Sequence, residues 1–159
     1  MECKGKVTPE FKRLIGYVTS FASGCLYCQA HTILGAERFG CTKKRLEEVW
    51  NYANSSAFSN AEKSALDFAF AAASVPNKVT EKEASQLKNY WNDNDIVEIM
   101  GVIALFGFLN RWNDSMGSAL EDLPIEKGEE HLMKNTNWTP GKHRVCLLYT
   151  SPSPRDATL

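Results

Sequence analysis

The sequence predicts an all-α domain, a bundle of about six helices with no sheet, on three observations. Apolar residues recur at three- and four-residue spacing through most of the chain; no segment sustains the two-residue alternation that a half-buried strand needs; and capping residues punctuate the chain at helix-length intervals. The composition agrees: 159 residues, 43% hydrophobic and 23% charged, suit a single folded domain. Eighteen basic against nineteen acidic side chains leave a net charge of -1, so nothing in the charge balance calls for nucleic acid or an anionic membrane. The longest apolar stretch, Ile96 to Leu109, contains Glu98 and is too short for a bilayer span; it is expected to be a buried core helix.

The elements follow in order. Thr8-Pro9-Glu10 combines a capping oxygen, a proline at the first helical position and an acid in the first turn, and Phe11, Leu14, Ile15, Val18 and Phe21 continue the helix until Ser23-Gly24. A second helix is expected from Cys25 to Phe39, with Gly40 in the left-handed conformation behind it. Thr42 opens a short helix carrying Leu46, Val49 and Trp50, closed by Asn54-Ser55-Ser56. Ser59-x-x-Glu62 and Thr80-x-x-Glu83 are capping boxes that open helices over about 59–74 and 80–91. Asn92 to Asp95 reads as a separator before a sixth helix from Ile96 to Met116. The stretch after Leu123, with Pro124, Gly128, Pro140 and Gly141, is expected to be irregular, and His131 and His143 within it have no partner motif. Trp50, Trp91 and Trp112 stand at helix ends as core or interface anchors. Arg111 and Asp114 stand at ion-pair spacing.

Residues 146–159 (CLLYTSPSPRDATL) share none of this patterning and read as a translated sequencing-adapter tail. The domain is therefore taken as residues 1–145, with Met1 compatible with an internal methionine of a longer gene. Five cysteines, an odd number, and the lack of a signal-peptide pattern point to a reducing, cytoplasmic compartment.

The chemistry concentrates in Ser23-Gly-Cys25-Leu-Tyr-Cys28-Gln-Ala-His31-Thr32. Two cysteines three apart at a helix start share a face, within disulfide reach with little movement, and the helix terminus favours the thiolate. His31, three residues beyond Cys28, is a candidate base or proton shuttle. Thiol redox chemistry is the leading reading. A metal site would need two more ligands that no second motif supplies, and two small buried hydrophobes would not explain the register or the histidine. No cofactor is expected.

These residues resemble the carboxymuconolactone decarboxylase superfamily, in its AhpD-like alkylhydroperoxidase branch. The likeness extends to Gly35-Ala-Glu-Arg38 and to Val102-Ile-Ala-Leu-Phe-Gly-Phe-Leu-Asn-Arg-Trp-Asn-Asp-Ser115, covering roughly residues 7 to 123. It implies a thiol-dependent peroxidase in antioxidant defence, in which Cys28 attacks a hydroperoxide and Cys25 resolves the sulfenic acid to a disulfide. Helix-terminus electrostatics alone would instead favour Cys25. In better-known members a histidine stands four residues after the second cysteine, where this chain has Thr32. A relay glutamate stands twelve before the first, where this chain has Arg13. By that comparison His31 carries the base role, assisted by Glu10, one turn from Arg13, or by Glu37. The resemblance further implies a dithiol, thioredoxin-like or lipoyl reductant and a homo-oligomer, a trimer or hexamer. Three other functions fit the residues: disulfide exchange with a partner protein, a noncatalytic oligomeric redox sensor, and the decarboxylase chemistry of members without the cysteine pair.

Overall fold

A computed structural model describes residues 7–145, and within them there is no strand. The expected tail beyond Val145 lies outside the described residues. Helix α1 (Pro9–Ala22) and helix α2 (Leu26–Arg38) form an antiparallel hairpin, and α1 also packs against α4 (Asn60–Ala73) and α6 (Asp93–Met116). The short α3 (Lys43–Glu48) runs into a 3-10 turn (Val49–Asn54), and α5 (Glu81–Tyr90) leans on α4. Leu14, Ile15, Ile33, Leu66, Ile99 and Leu132 meet in the core.

The capping chemistry works as the sequence implies. The Phe11 N–H donates to Thr8 Oγ1 at 3.2 Å, and Glu62 N–H donates to Ser59 Oγ at 3.2 Å while Ser59 N–H donates back to the Glu62 carboxylate at 2.9 Å. Thr80 and Glu83 form the second box. Gly24 and Gly40 take φ of +73° and +87°, the left-handed region that lets the chain turn out of α1 and α2. Gly16 serves another purpose. A Cβ there would stand 2.5 Å from the Phe106 ring, so its hydrogen is what lets α1 and α6 approach.

Three expectations are corrected. Asn92 is not a separator but the N-cap of α6, accepting the Asp95 N–H at 3.0 Å, so the acidic run is the first turn of the helix, where its negative charge suits the dipole. The apolar stretch is not a wholly buried core helix. Ile99, Ile103, Phe106 and Asn110 face the core, whereas Val97, Leu105, Phe108 and Trp112 form a stripe on roughly the opposite side and are 54 to 71% exposed. Finally, the stretch after Leu123 is ordered: α7 (Asp122–Gly128) passes through a π turn (Glu129–Met133) into one last helical turn, and a 3-10 turn (Gly141–Arg144) follows. Pro124 sits in the first turn of α7, where no intrahelical N–H is needed, and Gly128 is where the Trp138 ring lies flush on the backbone. Trp138 Nε1 donates to the Leu26 carbonyl at 3.1 Å, so this late segment straps the first turn of α2.

Candidate active site

The cysteine pair is built by the turn between α1 and α2. After Gly24 the chain drops back so that Cys25 N–H donates to the Ser20 carbonyl at 3.0 Å, which places Cys25 at the N-cap of α2. Its sulfur does what a capping serine would do, accepting the Cys28 N–H at 3.4 Å. Both side chains are buried and neither forms a disulfide. The Cys28 thiol donates to Cys25, which holds the Cys25 thiol below the ordinary range; the same bond, with burial, pushes Cys28 well up. Of the two thiols Cys25 is therefore the more acidic, whereas the resemblance casts Cys28 as the attacking cysteine. Cys28 keeps one polar neighbour, the Asn113 amide, with Nδ2 3.8 Å from Sγ.

His31 follows on the same helix. Its Nε2 lies 3.0 Å from a Glu121 oxygen, and its ring is tilted against Tyr27 with centroids 4.5 Å apart. Burial lowers its pKa, and Glu121 only partly offsets this, so the imidazole is neutral at pH 7 and free to take a proton. On the other side of Tyr27 lies His143, fully buried, with Nδ1 2.8 Å from the Ser118 carbonyl and Nε2 3.6 Å from Asp114. Lys142 binds the same Asp114 carboxylate at 3.0 Å. The expected partnership of Asp114 with Arg111 is thus replaced by one with the strap. Thr32, in the position of the family histidine, points its hydroxyl back to the Cys28 and Gln29 carbonyls at 2.8 and 2.9 Å.

The structure carries Cys25 at the N-cap and Cys28 and His31 on the first two turns of α2, and it commits Glu10 and Glu37 elsewhere. Glu10 is held at 2.9 Å by Arg45, which also grips Glu62 at 2.6 Å and the Ala57 carbonyl at 2.8 Å. Its thiol neighbour is Cys41, pushed up to about 12 chiefly by burial and then by Glu10, and so inert at neutral pH. Arg13 lies along Gly35 and over the Phe39 ring, toward the far end of α2. Glu37, also toward that end, pairs with Lys127 at 3.1 Å and stands 3.5 Å from His131 Nε2. Glu37, Glu130 and His131 present donor atoms within 4.8 Å of one another, as a metal site would, but Lys127 already supplies a cation there, 2.8 Å from Glu130. Glu121, Asn113 and the strap residues escaped the sequence reading, because only tertiary packing carries them to α2.

An all-α bundle that sets a Cys-x-x-Cys pair at the start of its second helix is AhpD-like in fold. The model of the carboxymuconolactone decarboxylase family matches residues 1–71. Among solved structures the chain is similar to the debrominase Bmp8 in its apo form, at 33% identity and a TM-score of 0.74 over 76% of this chain and 65% of that one. It is similar also to a cysteine-to-alanine variant of that debrominase in complex with 2,3,4-tribromopyrrole, at 32% identity, a TM-score of 0.74 and the same coverage. The chain thus spans a little under two thirds of the debrominase. No curated protein matches it. No helix among the described residues is long and apolar enough to cross a membrane.

Proposed function

We propose that the chain is a dithiol reductase of small oxidised substrates, with hydroperoxides as the first class. The observation that carries this reading is the placement of Cys25 at the N-cap of α2, its sulfur accepting the Cys28 N–H at 3.4 Å, so that two thiols of unequal acidity share one helical turn. The Cys25 thiolate attacks the terminal peroxide oxygen; the S–O bond forms as the O–O bond breaks, and the departing alkoxide takes a proton and leaves as an alcohol. Cys28 then attacks the sulfenic acid sulfur, its proton passing by way of His31, and water departs as the disulfide forms. A dithiol, thioredoxin-like or lipoyl partner returns two electrons and two protons. Glu121 orients His31, and the strap shields the first turn of α2 from bulk water.

The likeness to a debrominase favours a second substrate class for the same pair. Thiolate attack on the bromine of a bromopyrrole would leave a carbanion that takes a proton, and Cys28 would then displace bromide to give the same disulfide. One experiment separates the two readings: with dithiothreitol as reductant, follow cumene hydroperoxide loss and bromide release from 2,3,4-tribromopyrrole. Peroxide turnover that vanishes in Cys25→Ser supports the first. Bromide release alone assigns the second, and neither activity, with the disulfide still forming on a partner protein, returns the protein to disulfide exchange. The exposed stripe on α6 supports a homo-oligomer, the trimer or hexamer that the resemblance implies.

A further inference from the structure

A cleft of about 350 Å³ opens between the ends of α1 and α4 and the later half of α6, with Ser23, Val75, Gly107, Asn110, Arg111 and Asp114 in its wall. Its position ties it to the cysteines. Ser23 stands two residues before Cys25, and Asp114 is near enough for its charge to act on both sulfurs. Asn113, beside Asp114, is the residue whose amide reaches Cys28.

Two groups in this wall are uncommitted. Asn110 is only 3% exposed, yet neither its Oδ1 nor its Nδ2 has a hydrogen-bond partner among the described residues. Buried carboxamides in folded proteins are nearly always paired, so one with both atoms unspent in the wall of a cleft is a group that a ligand can satisfy once the side chain turns toward it. Arg111 is exposed at the rim and has no ion pair among the described residues, because the nearby Asp114 is engaged by Lys142 at 3.0 Å and faces His143 at 3.6 Å. The cleft therefore offers a planar cation and a donor–acceptor pair in a wall that also holds Ser23, two residues before Cys25. A guanidinium fork matches a carboxylate or another delocalised anion, and the cleft is the size of a small organic molecule.

We propose that this cleft is the substrate subsite of the cysteine pair and that it takes a small organic anion, whose charge pairs with Arg111 and whose neighbouring polar atom bonds to the Asn110 amide. The proposal rests on the dithiol reading above, deepening it from a reaction to a substrate class: carboxylate-bearing or otherwise ionised substrates enter here, and neutral ones gain nothing from Arg111.

Iodoacetate and iodoacetamide test it, since they differ in charge and little in size, and each alkylates a thiolate by the same displacement, the S–C bond forming as iodide leaves. In reduced protein at 0.15 M salt, the rate of each is read by mass spectrometry on tryptic peptide 14–38, which contains Cys25 and Cys28 and no other cysteine. The iodoacetate-to-iodoacetamide rate ratio should fall about tenfold in Arg111→Gln, the scale of one charge-assisted hydrogen bond, and largely recover in Arg111→Lys. Benzoate at millimolar concentration should slow both reagents in the native protein and lose that effect in Arg111→Gln and in Asn110→Asp, whose added carboxylate repels it. Circular dichroism and the iodoacetamide rate show that each variant is folded. A ratio that stays within twofold in Arg111→Gln, or benzoate that does not protect the native protein, overturns the subsite. Loss of the ratio in a protein that turns over neither peroxide nor bromopyrrole would uphold the subsite and sink the reductase reading, so the two fail separately.

Discussion

Replacing Cys28 by alanine should make Cys25 a weaker acid. In the reduced protein the Cys25 sulfur accepts from the Cys28 thiol and from the Cys28 N–H at 3.4 Å, and the thiol bond is the largest influence on its titration. Cys28→Ala removes the first and leaves the second. A hydrogen bond to a charged group contributes roughly 1.5–3 kcal/mol, less when sulfur is the donor, so about 1.4 kcal/mol is a fair expectation, which moves the titration midpoint of Cys25 up by about one pH unit. The sign follows from which form is stabilised: the bond favours the thiolate, its loss favours the thiol, and at a pH below both midpoints alkylation of Cys25 slows about tenfold. The assay is the pH dependence of iodoacetamide alkylation at Cys25 from pH 5 to 10, with Cys28→Ser, which keeps a donor, restoring most of the shift. The reciprocal variant sharpens the test. Cys25→Ala removes the acceptor that holds the Cys28 proton, so the Cys28 midpoint should fall. A Cys25 midpoint that stays put or drops in Cys28→Ala, or a Cys28 midpoint that rises in Cys25→Ala, would refute the reading of Cys25 as the more acidic thiol.

Other outcomes are expected from the same structure. His31→Ala should slow disulfide formation on the order of ten- to a thousandfold with the helical circular dichroism unchanged, and Glu121→Gln should move the acidic limb of the pH–rate profile lower, because Glu121 raises the His31 pKa against burial; an unmoved limb would place the base elsewhere. Gly16→Ala should destabilise the fold by about 1–3 kcal/mol in urea titration, since its Cβ would meet the Phe106 ring, and Phe106→Leu should recover part of the loss. Phe108→Glu, on the outward stripe of α6, should leave the monomer folded and abolish assembly in sedimentation; a native protein that is monomeric at tens of micromolar would refute the interface.

What the sequence could and could not convey divides by range. Six helices, both capping boxes and the left-handed glycines are local chemistry, decided by residues within a turn of one another, and they were legible. The Asn92–Asp95 run misled because the same residue types serve a loop and a helix N-terminus; only the apolar register downstream distinguishes them. Pro124 and Gly128 read as breakers because a sequence does not show that one sits in a first turn and the other faces an indole. Cys25, Cys28 and His31 were legible as a candidate site because one helix and its N-cap carry them. The site's acids were not. Glu10 and Glu37 have suitable chemistry but are committed to Arg45 and Lys127, whereas Glu121 reaches His31 from 90 positions away with no motif to announce it.

The bond from Trp138 to Leu26 joins residues 112 apart. A ribosome adding about 5–20 residues per second finishes α2, at Arg38, roughly 5–20 s before it makes the indole that closes over it. During that interval the cysteines exist on a nascent helix with no strap above them and no Asn113 or Glu121 beside them. The newborn chain therefore presents its two thiols in their least protected state. A pulse-labelled chain should lose its reactivity toward bulky maleimides in step with the completion of residue 138.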